Sequence, residues 1–146
     1  MTRVFMVLAV CVACSSALAQ LSPAGVWKTI DDKSGAPKSE VRITESNGLL
    51  SARIDKVYRA NFKGDERCLE CKDDRKDQLL IGLEILRGLK KAEDEGVWEG
   101  GTVLDPMTGT VYKARITLID GGARLEMRGF VGFSLLGRTQ TWVRIQ

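Results

Sequence analysis

Residues 128–146 have the sequence Arg-Gly-Phe-Val-Gly-Phe-Ser-Leu-Leu-Gly-Arg-Thr-Gln-Thr-Trp-Val-Arg-Ile-Gln. A turn-rich segment precedes a terminal strand predicted over residues 139–145, which carries Trp142 and Arg144 on one face. A strand at the end of a chain needs a partner edge. The first predicted strand, residues 25–30, is the partner that we expect, and pairing of the two would close the sheet into a barrel.

Alternation of apolar and polar residues predicts six more strands between these two. Asn47-Gly48 is a strong hairpin signal, and residues 105–109 (Asp-Pro-Met-Thr-Gly) are typical of a tight turn. Eight consecutive strands predict an all-β fold, a small antiparallel up-and-down barrel with room for side chains or one small ligand. The predicted strands span residues 25–30, 38–44, 49–58, 79–89, 97–104, 110–120, 123–131 and 139–145.

Residues 79–89 fit two patterns. Their apolar residues alternate as in a strand, but several also recur at helical spacing. Gly82 and Gly88 would each cost a helix about 1 kcal/mol, so a strand is favoured. The preceding residues 59–78 form a predicted charged loop, and loops of that length are often functional or disordered.

The N-terminus has the features of a secretory signal peptide over residues 1–19. Arg3 supplies the positive charge, an apolar run follows, and residues 17–19 (Ala-Leu-Ala) fit the cleavage pattern. The apolar run is too short for a stable transmembrane helix. We therefore expect a periplasmic or secreted protein with no membrane span and one barrel domain over residues 20–146.

A lipoprotein signal ending at Cys14 is the alternative, because this cysteine follows Val12 and Ala13. The position three places before it holds Cys11, where a lipobox has leucine or a similar residue. Cleavage after Ala19, which leaves Gln20 as the first mature residue, is therefore favoured.

Charge and histidine content exclude several classes of function. The formal charge is +3, and removal of Arg3 with the signal peptide leaves +2, too little to predict a nucleic-acid partner. The chain has no histidine. This excludes serine–histidine and cysteine–histidine nucleophile systems and the commonest zinc ligand. We predict no metal and no cofactor.

Cys68 and Cys71 form a C-x-x-C motif. A redox motif of this kind places a thiolate of low pKa at a helix N-terminus after a strand, whereas this one lies in a charged loop between antiparallel strands. Zinc binding would need a second pair of ligands. In an oxidising compartment the favoured interpretation is a structural disulfide bond that pins the loop.

Three other groups of residues are candidates for chemistry or binding. Glu84, Glu99 and Asp105 could supply a glycosidase-like carboxylate pair, although their spacing brings no two of them together. Arginines on the later strands could form an anion-binding stripe, but an exposed outer face is the simpler interpretation for most of them. Tryptophans could line a cavity, but in a small barrel they more often belong to the core. The arginines are Arg115, Arg124, Arg128 and Arg138, and the tryptophans are Trp27, Trp98 and Trp142.

Five blocks of sequence carry a resemblance to a known family. They are residues 82–86 (Gly-Leu-Glu-Ile-Leu), 98–101 (Trp-x-Gly-Gly), 105–112 (Asp-Pro-x-x-Gly-x-x-Tyr), 125–132 (Leu-Glu-Met-Arg-Gly-Phe-x-Gly) and 137–144 (Gly-Arg-Thr-Gln-Thr-Trp-x-Arg). Through them the chain resembles domain-of-unknown-function family 2147, which consists of secreted bacterial proteins. The resemblance implies a small lipocalin-like barrel, and it implies no activity because none is assigned to the family. Phe130 stands where the family pattern has tyrosine.

The two ends of the mature chain also resemble lipocalins. Lipocalins begin with Gly-x-Trp on the first strand, and an arginine near the C-terminus packs across that tryptophan. Gly25-Val26-Trp27 and Arg144 match these positions. We therefore expect Trp27 and Arg144 to lie together and close one end of the barrel through a cation–π contact.

The leading hypothesis is a non-catalytic barrel that binds a small apolar or amphipathic ligand. Tyr112, Trp98, Arg138 and Trp142 are its candidate ligand or interaction residues. An alternative is an envelope protein–protein interaction module that has a solid core and uses the loop at residues 59–78. An enzyme of unknown class is the third hypothesis. A cavity would favour the first, and carboxylates clustered inside it would favour the third.

Overall fold

The computed structural model describes residues 21–133 and 135–146. The predicted signal peptide at residues 1–19 and the predicted mature N-terminus, Gln20, lie outside the described residues. A short 3₁₀ helix, Asp120–Gly122, joins β6 to β7. The strands are β1 (Gly25–Ile30), β2 (Pro37–Ser46), β3 (Leu49–Val57), β4 (Glu84–Lys91), β5 (Val97–Asp105), β6 (Thr110–Ile119), β7 (Arg124–Phe130) and β8 (Gly137–Arg144).

The eight strands form one closed antiparallel barrel in which each strand pairs with the next. β1 also pairs with β8, with Trp27 opposite Arg144 and Thr29 opposite Trp142. The predicted all-β, up-and-down barrel is therefore confirmed, and so is its closure through the first and last strands. Closure leaves neither of these strands with an unpaired edge.

Most of the core consists of strand residues that face inward, since side chains alternate between the two faces of a strand. Four residues of the β3–β4 loop also belong to it: Cys68, Cys71, Leu80 and Leu83. On β8, for example, Trp142 is buried whereas Val143 is 39% exposed. The two halves of the barrel are filled differently, because the large rings of Trp27 and Trp98 occupy the half that contains the β2–β3, β4–β5 and β6–β7 turns. We call this half the closed end and the opposite half the open end.

The strand predicted at residues 79–89 is placed differently in the structure. β4 begins only at Glu84, and residues 79–83 belong to the preceding loop. Leu80 and Leu83 are buried while Leu79 and Ile81 are exposed, and Leu83 N–H donates to the Leu80 carbonyl oxygen at 3.2 Å. The leucines are thus arranged by a turn that buries two positions three residues apart, whereas a strand would have placed Leu80 and Leu83 on opposite faces.

Arg144 closes one end of the barrel. Its guanidinium carbon lies 4.3 Å from the centre of the Trp27 ring. Its three nitrogens, Nε, Nη1 and Nη2, donate to the carbonyl oxygens of Gly122, Ala24 and Ser22 at 2.7, 2.9 and 2.7 Å. Burial lowers the pKa of Arg144, but an arginine remains charged at any physiological pH. One side chain therefore joins β8 to the N-terminal segment and to the β6–β7 turn.

The N-terminal segment is shaped to meet this side chain. Trp27 is fully buried, and its indole Nε1 donates to the Pro23 carbonyl oxygen at 2.8 Å. Gly25 has φ +142°, and a Cβ there would lie 2.3 Å from the Gln146 carbonyl oxygen and 2.8 Å from Arg144 Nη1. Glycine is required because both the backbone angle and the close approach exclude a side chain.

We predict that Arg144→Ala lowers the free energy of unfolding by about 1–3 kcal/mol, because three carbonyl groups lose their donor and Trp27 loses its cover. Arg124→Ala is the matched control, since Arg124 is half exposed and pairs with Asp120 on the surface. It should cost less than about 0.5 kcal/mol. Urea unfolding of both variants gives the comparison, and equal, negligible losses would contradict the closing role of Arg144.

Candidate binding cavity

The open end of the barrel contains a cavity of about 720 Å³. Trp142 lies at the β8 side of the cavity, and the turns after β1, β5 and β7 surround its mouth. The volume falls within the range of small-molecule sites, about 300–1,000 Å³. The barrel is therefore hollow at one end and packed at the other.

One wall of the cavity is apolar. It is formed by strands β3, β4 and β5 together with Leu80 from the long loop. The side chains on this wall carry no hydrogen-bonding group, so they favour contact with an apolar part of a ligand. They are Ile54, Val57, Leu80, Ile85, Val103 and Leu104.

The facing wall, from β1, β2 and β8, carries polar side chains. Thr29 Oγ1 and Ser39 Oγ are hydrogen-bonded at 2.7 Å, and Gln140 Oε1 accepts a long bond of 3.4 Å from Trp142 Nε1. Each of these groups keeps further donor or acceptor capacity. The cavity is thus amphipathic, with an apolar side and a hydrogen-bonding side.

Charged groups stand at the mouth. Arg138, on β8, forms a bidentate ion pair with Asp32 of the β1–β2 turn. The hydrogen bond from Arg138 holds the pKa of Asp32 below its ordinary value. Lys38, Arg59 and Asp105 also line the cavity. Lys38 and Arg59 have carboxylate partners too, Asp31 and Glu66. The mouth is thus surrounded by paired charges of both signs.

The loop between β3 and β4 lies against the open end and contains a disulfide bond between Cys68 and Cys71. Both cysteines are buried, and Cys68 Sγ contacts the Pro106 carbonyl oxygen at 3.5 Å. Gly109, with φ +71°, allows this packing, because a Cβ there would lie 1.8 Å from the Glu70 carbonyl oxygen. The C-x-x-C segment therefore packs directly on the β5–β6 turn.

A buried arginine fixes the same loop to the barrel wall. Arg75 is 2% exposed, and its Nη1 donates to the Glu84 carbonyl oxygen at 3.0 Å. Hydrogen bonds from the side chain and backbone of Arg75 lower the pKa of Asp73 to about 2. Arg87, on β4, adds a bidentate pair with Asp74 at 2.9 and 2.8 Å. The loop is thus held at several points besides the disulfide bond.

A model of uncharacterised proteins conserved in bacteria, DUF2147, matches residues 25–144. The chain belongs to the DUF2147 family. Among solved structures, protein HP1028 from the human pathogen Helicobacter pylori, described as belonging to the lipocalin family, is similar in fold, with a TM-score of 0.73 and 20% sequence identity. The match covers 86% of this chain and 84% of that one. No curated protein matches the sequence.

The candidate residues of this DUF2147 chain separate into two groups. Tyr112, Arg138 and Trp142 all line the cavity. Trp98 does not, since it is buried opposite Ile116 in the closed half. Trp98 therefore belongs to the core and is not part of the cavity lining. Trp27 and Arg144 lie together at the closed end.

The three candidate carboxylates of the DUF2147 chain have separate partners. Glu84 pairs with Arg53 and Arg87, and Glu99 lies 3.8 Å from Arg115. Asp105 Oδ1 accepts the Met107 N–H at 2.9 Å within the β5–β6 turn. No cluster of cysteine, aspartate and glutamate able to hold a metal is found among residues 21–133 and 135–146, and no helix in that part is long and apolar enough to cross a bilayer.

Sequence reasoning missed several residues of the cavity, notably Thr29, Ser39 and Gln140. Thr29 and Gln140 share the inward face with Trp27 and Trp142, two residues along each strand. The signal that could have found them is a polar residue at a position that strand alternation places on the inward face. A polar side chain that faces the core needs a hydrogen-bonding partner or a ligand. Nothing in the sequence distinguishes the buried Arg75 from the exposed charged residues around it.

We predict that the double variant Cys68→Ser/Cys71→Ser of the mature chain folds with a loss of roughly 2 kcal/mol, the chain-entropy value for so short a loop. Arg75 and Arg87 continue to hold the loop, so the near-ultraviolet circular dichroism of the barrel should persist. Alkylation with and without reductant reports the bond in the parent protein. Rapid insulin reduction by the parent protein would contradict a purely structural role for these cysteines.

Proposed function

We propose that this DUF2147 protein is a periplasmic or secreted binding protein that holds a small amphipathic molecule in its open-end cavity, without catalysis. The observation that carries the proposal is the division of the cavity into an apolar wall on β3–β5 and a hydrogen-bonding wall on β1, β2 and β8. A molecule with one apolar and one polar side would satisfy both walls, whereas a purely apolar ligand would leave the polar groups without partners.

The mouth orients such a ligand. Arg138, Arg59 and Lys38 surround the entrance, so a negatively charged head group is stabilised there while the apolar part lies deeper, against Ile54 and Leu104. Each of these bases already has a carboxylate partner: Asp32 for Arg138, Glu66 for Arg59 and Asp31 for Lys38. An anionic head group would therefore compete with those carboxylates or share their cationic partners. The ligand class is therefore a small amphiphile, with anionic head groups preferred over cationic ones.

Two further observations support binding over the other hypotheses. The envelope interaction module required a solid core, and the cavity of about 720 Å³ counts against one. A glycosidase-like site requires two carboxyl groups across the substrate, and Asp105 is the only acidic residue among the described residues that line the cavity. The lipocalin-like neighbour adds fold analogy and nothing about a specific ligand.

We predict that Gly129→Leu weakens binding of the anionic amphiphile 1-anilinonaphthalene-8-sulfonate by about tenfold or more, because the new side chain occupies the cavity. Gly129 lines the cavity, and a Cβ there would meet its nearest neighbour, Val103 Cγ1, at 3.4 Å, so the substitution starts without a clash. Fluorescence titration of delipidated protein measures the affinity.

Val111→Leu is the matched control, since it enlarges a side chain that is 42% exposed on the outer face of β6. Its affinity for the probe should equal that of the parent protein. Equal affinities for all three proteins, with the Gly129→Leu variant folded, would place the probe outside the cavity and contradict the proposal.

Export is part of the proposal, and the Ala17-Leu18-Ala19 pattern supports it. We predict that the full chain, expressed in a Gram-negative bacterium, is recovered from the periplasm or medium with Gln20 at its N-terminus. Intact mass spectrometry measures this directly. A mass that corresponds to lipidated Cys14 would contradict cleavage after Ala19 and would indicate a protein anchored to the membrane.

A further inference from the structure

The turn between β7 and β8 exposes a group of apolar side chains. Val131, Phe133, Leu135 and Leu136 are 64%, 80%, 89% and 70% exposed. We call these four side chains the apolar tip. Apolar residues exposed singly are normal on a protein, but a contiguous group on one turn marks a surface that meets another apolar phase.

The apolar tip is continuous with the cavity. Val131 and Leu136 belong both to the tip and to the lining of the cavity mouth. Met107, on the β5–β6 turn, lines the same mouth and is 60% exposed. Apolar side chains are therefore present both in the lining of the cavity mouth and on the β7–β8 turn, with Val131 and Leu136 common to the two.

Basic side chains stand directly behind the tip. Leu135 borders a shallow groove of about 280 Å³ on the outer face of β6–β8, whose charged lining residues are Arg115, Arg128 and Glu126. Arg115 also lies near Asp94 and Glu99, at 3.6 and 3.8 Å. Arg115 and Arg128 are opposite each other in the β6–β7 ladder. Lys113 is exposed, and its Nζ lies 3.4 Å from the Gly132 carbonyl oxygen at the base of the turn.

We propose that the apolar tip inserts into the surface of an anionic lipid bilayer. Phe133 and Leu135 enter the boundary between head groups and acyl chains, and Lys113 and Arg128 remain at the level of the lipid phosphates. The order of groups carries the inference, because an apolar apex followed by a basic zone matches the order of acyl chains and phosphates in a membrane. Docking in this way turns the cavity mouth toward the bilayer.

A second copy of the chain fits the tip less well. Four side chains on one turn expose a few hundred Å², well below the roughly 800 Å² per partner of a stable protein interface. A symmetric contact through the tip would also bring Lys113 and Arg128 of each copy close to those of the other, and like charges repel. An anionic bilayer satisfies both the apolar and the basic groups.

Co-sedimentation of the oxidised mature protein with vesicles tests the proposal. Vesicles of phosphatidylcholine containing one-third phosphatidylglycerol should bind the parent protein, and pure phosphatidylcholine should bind it less. Phe133→Ser/Leu135→Ser should reduce the partition coefficient by about tenfold or more, since two apolar side chains lose their burial. Leu21→Ser/Ile145→Ser is the matched control, because both residues are exposed apolar residues at the closed end, at 55% and 43%. It should bind as the parent does.

A charge variant tests the basic zone separately. Lys113→Gln/Arg128→Gln should weaken binding to the anionic vesicles by about fivefold per charge and should change binding to neutral vesicles little. Added salt should reduce the difference between the charge variant and the parent protein. Thermal melts confirm that each variant is folded.

Three results would overturn the proposal. The first is a parent protein that ignores anionic vesicles, and the second is a tip variant that binds them as the parent does. The third is a dimer in sedimentation velocity that the tip variant converts to monomer, which would assign the tip to self-association. Affinity for 1-anilinonaphthalene-8-sulfonate in the cavity is measured in parallel, so loss of docking is distinguished from loss of ligand binding.

Discussion

The stacking of Arg144 on Trp27 holds the two ends of the described chain together. The ladder between β1 and β8 pairs residues 27–29 with residues 142–144, a short seam for a barrel that depends on closure. Arg144 reinforces it with three hydrogen bonds to carbonyl groups of two other segments. Without that side chain, Trp27 would lose its cover and the carbonyl oxygens of Ser22, Ala24 and Gly122 would lose their donor. The pairing of β1 with β8 would then depend on a few backbone hydrogen bonds alone.

This closure also determines where a ligand can lie. Trp27 and Trp98 fill the closed half with large rings, so the space that remains is at the other end. There several inward positions hold small or polar residues, including Thr29, Gly129 and Gln140, beside the larger Trp142 and Tyr112. A barrel of eight strands has a nearly fixed width. Whether it is solid or hollow is therefore decided by the size of the inward side chains at each level.

Most of the fold could be predicted from the sequence, because strand alternation and turn residues are local signals. Seven of the eight predicted strands agree with the structure to within a few residues, and the expected contact between Gly25-Val26-Trp27 and Arg144 indicated where the sheet closes. The fourth strand was misplaced because the apolar residues run from Leu79 into β4 without a break, so no local signal separates the turn that buries Leu80 and Leu83 from the strand that follows. The cavity was not predictable, since it depends on the distance between walls that are remote in sequence. The position of Trp98 in the closed half was not predictable for a related reason, because alternation shows that a side chain faces inward but not how far along the barrel it lies.

The two sides of the cavity mouth are built differently, and this difference indicates the route of entry. On the side of β3–β5, the long loop is fixed by the Cys68–Cys71 bond, by buried Arg75 and by the Arg87–Asp74 pair. On the side of β7–β8, the backbone bonds of the turn among the described residues are those of Val131 N–H with Leu136 and of Leu136 N–H with Phe133, at 3.2 and 3.0 Å. Segments with few buried contacts open at lower free energy than segments held at many points. Under the proposed binding function, the β7–β8 turn is therefore the side past which a ligand would enter more easily, next to the exposed side chains of Val131 and Leu136.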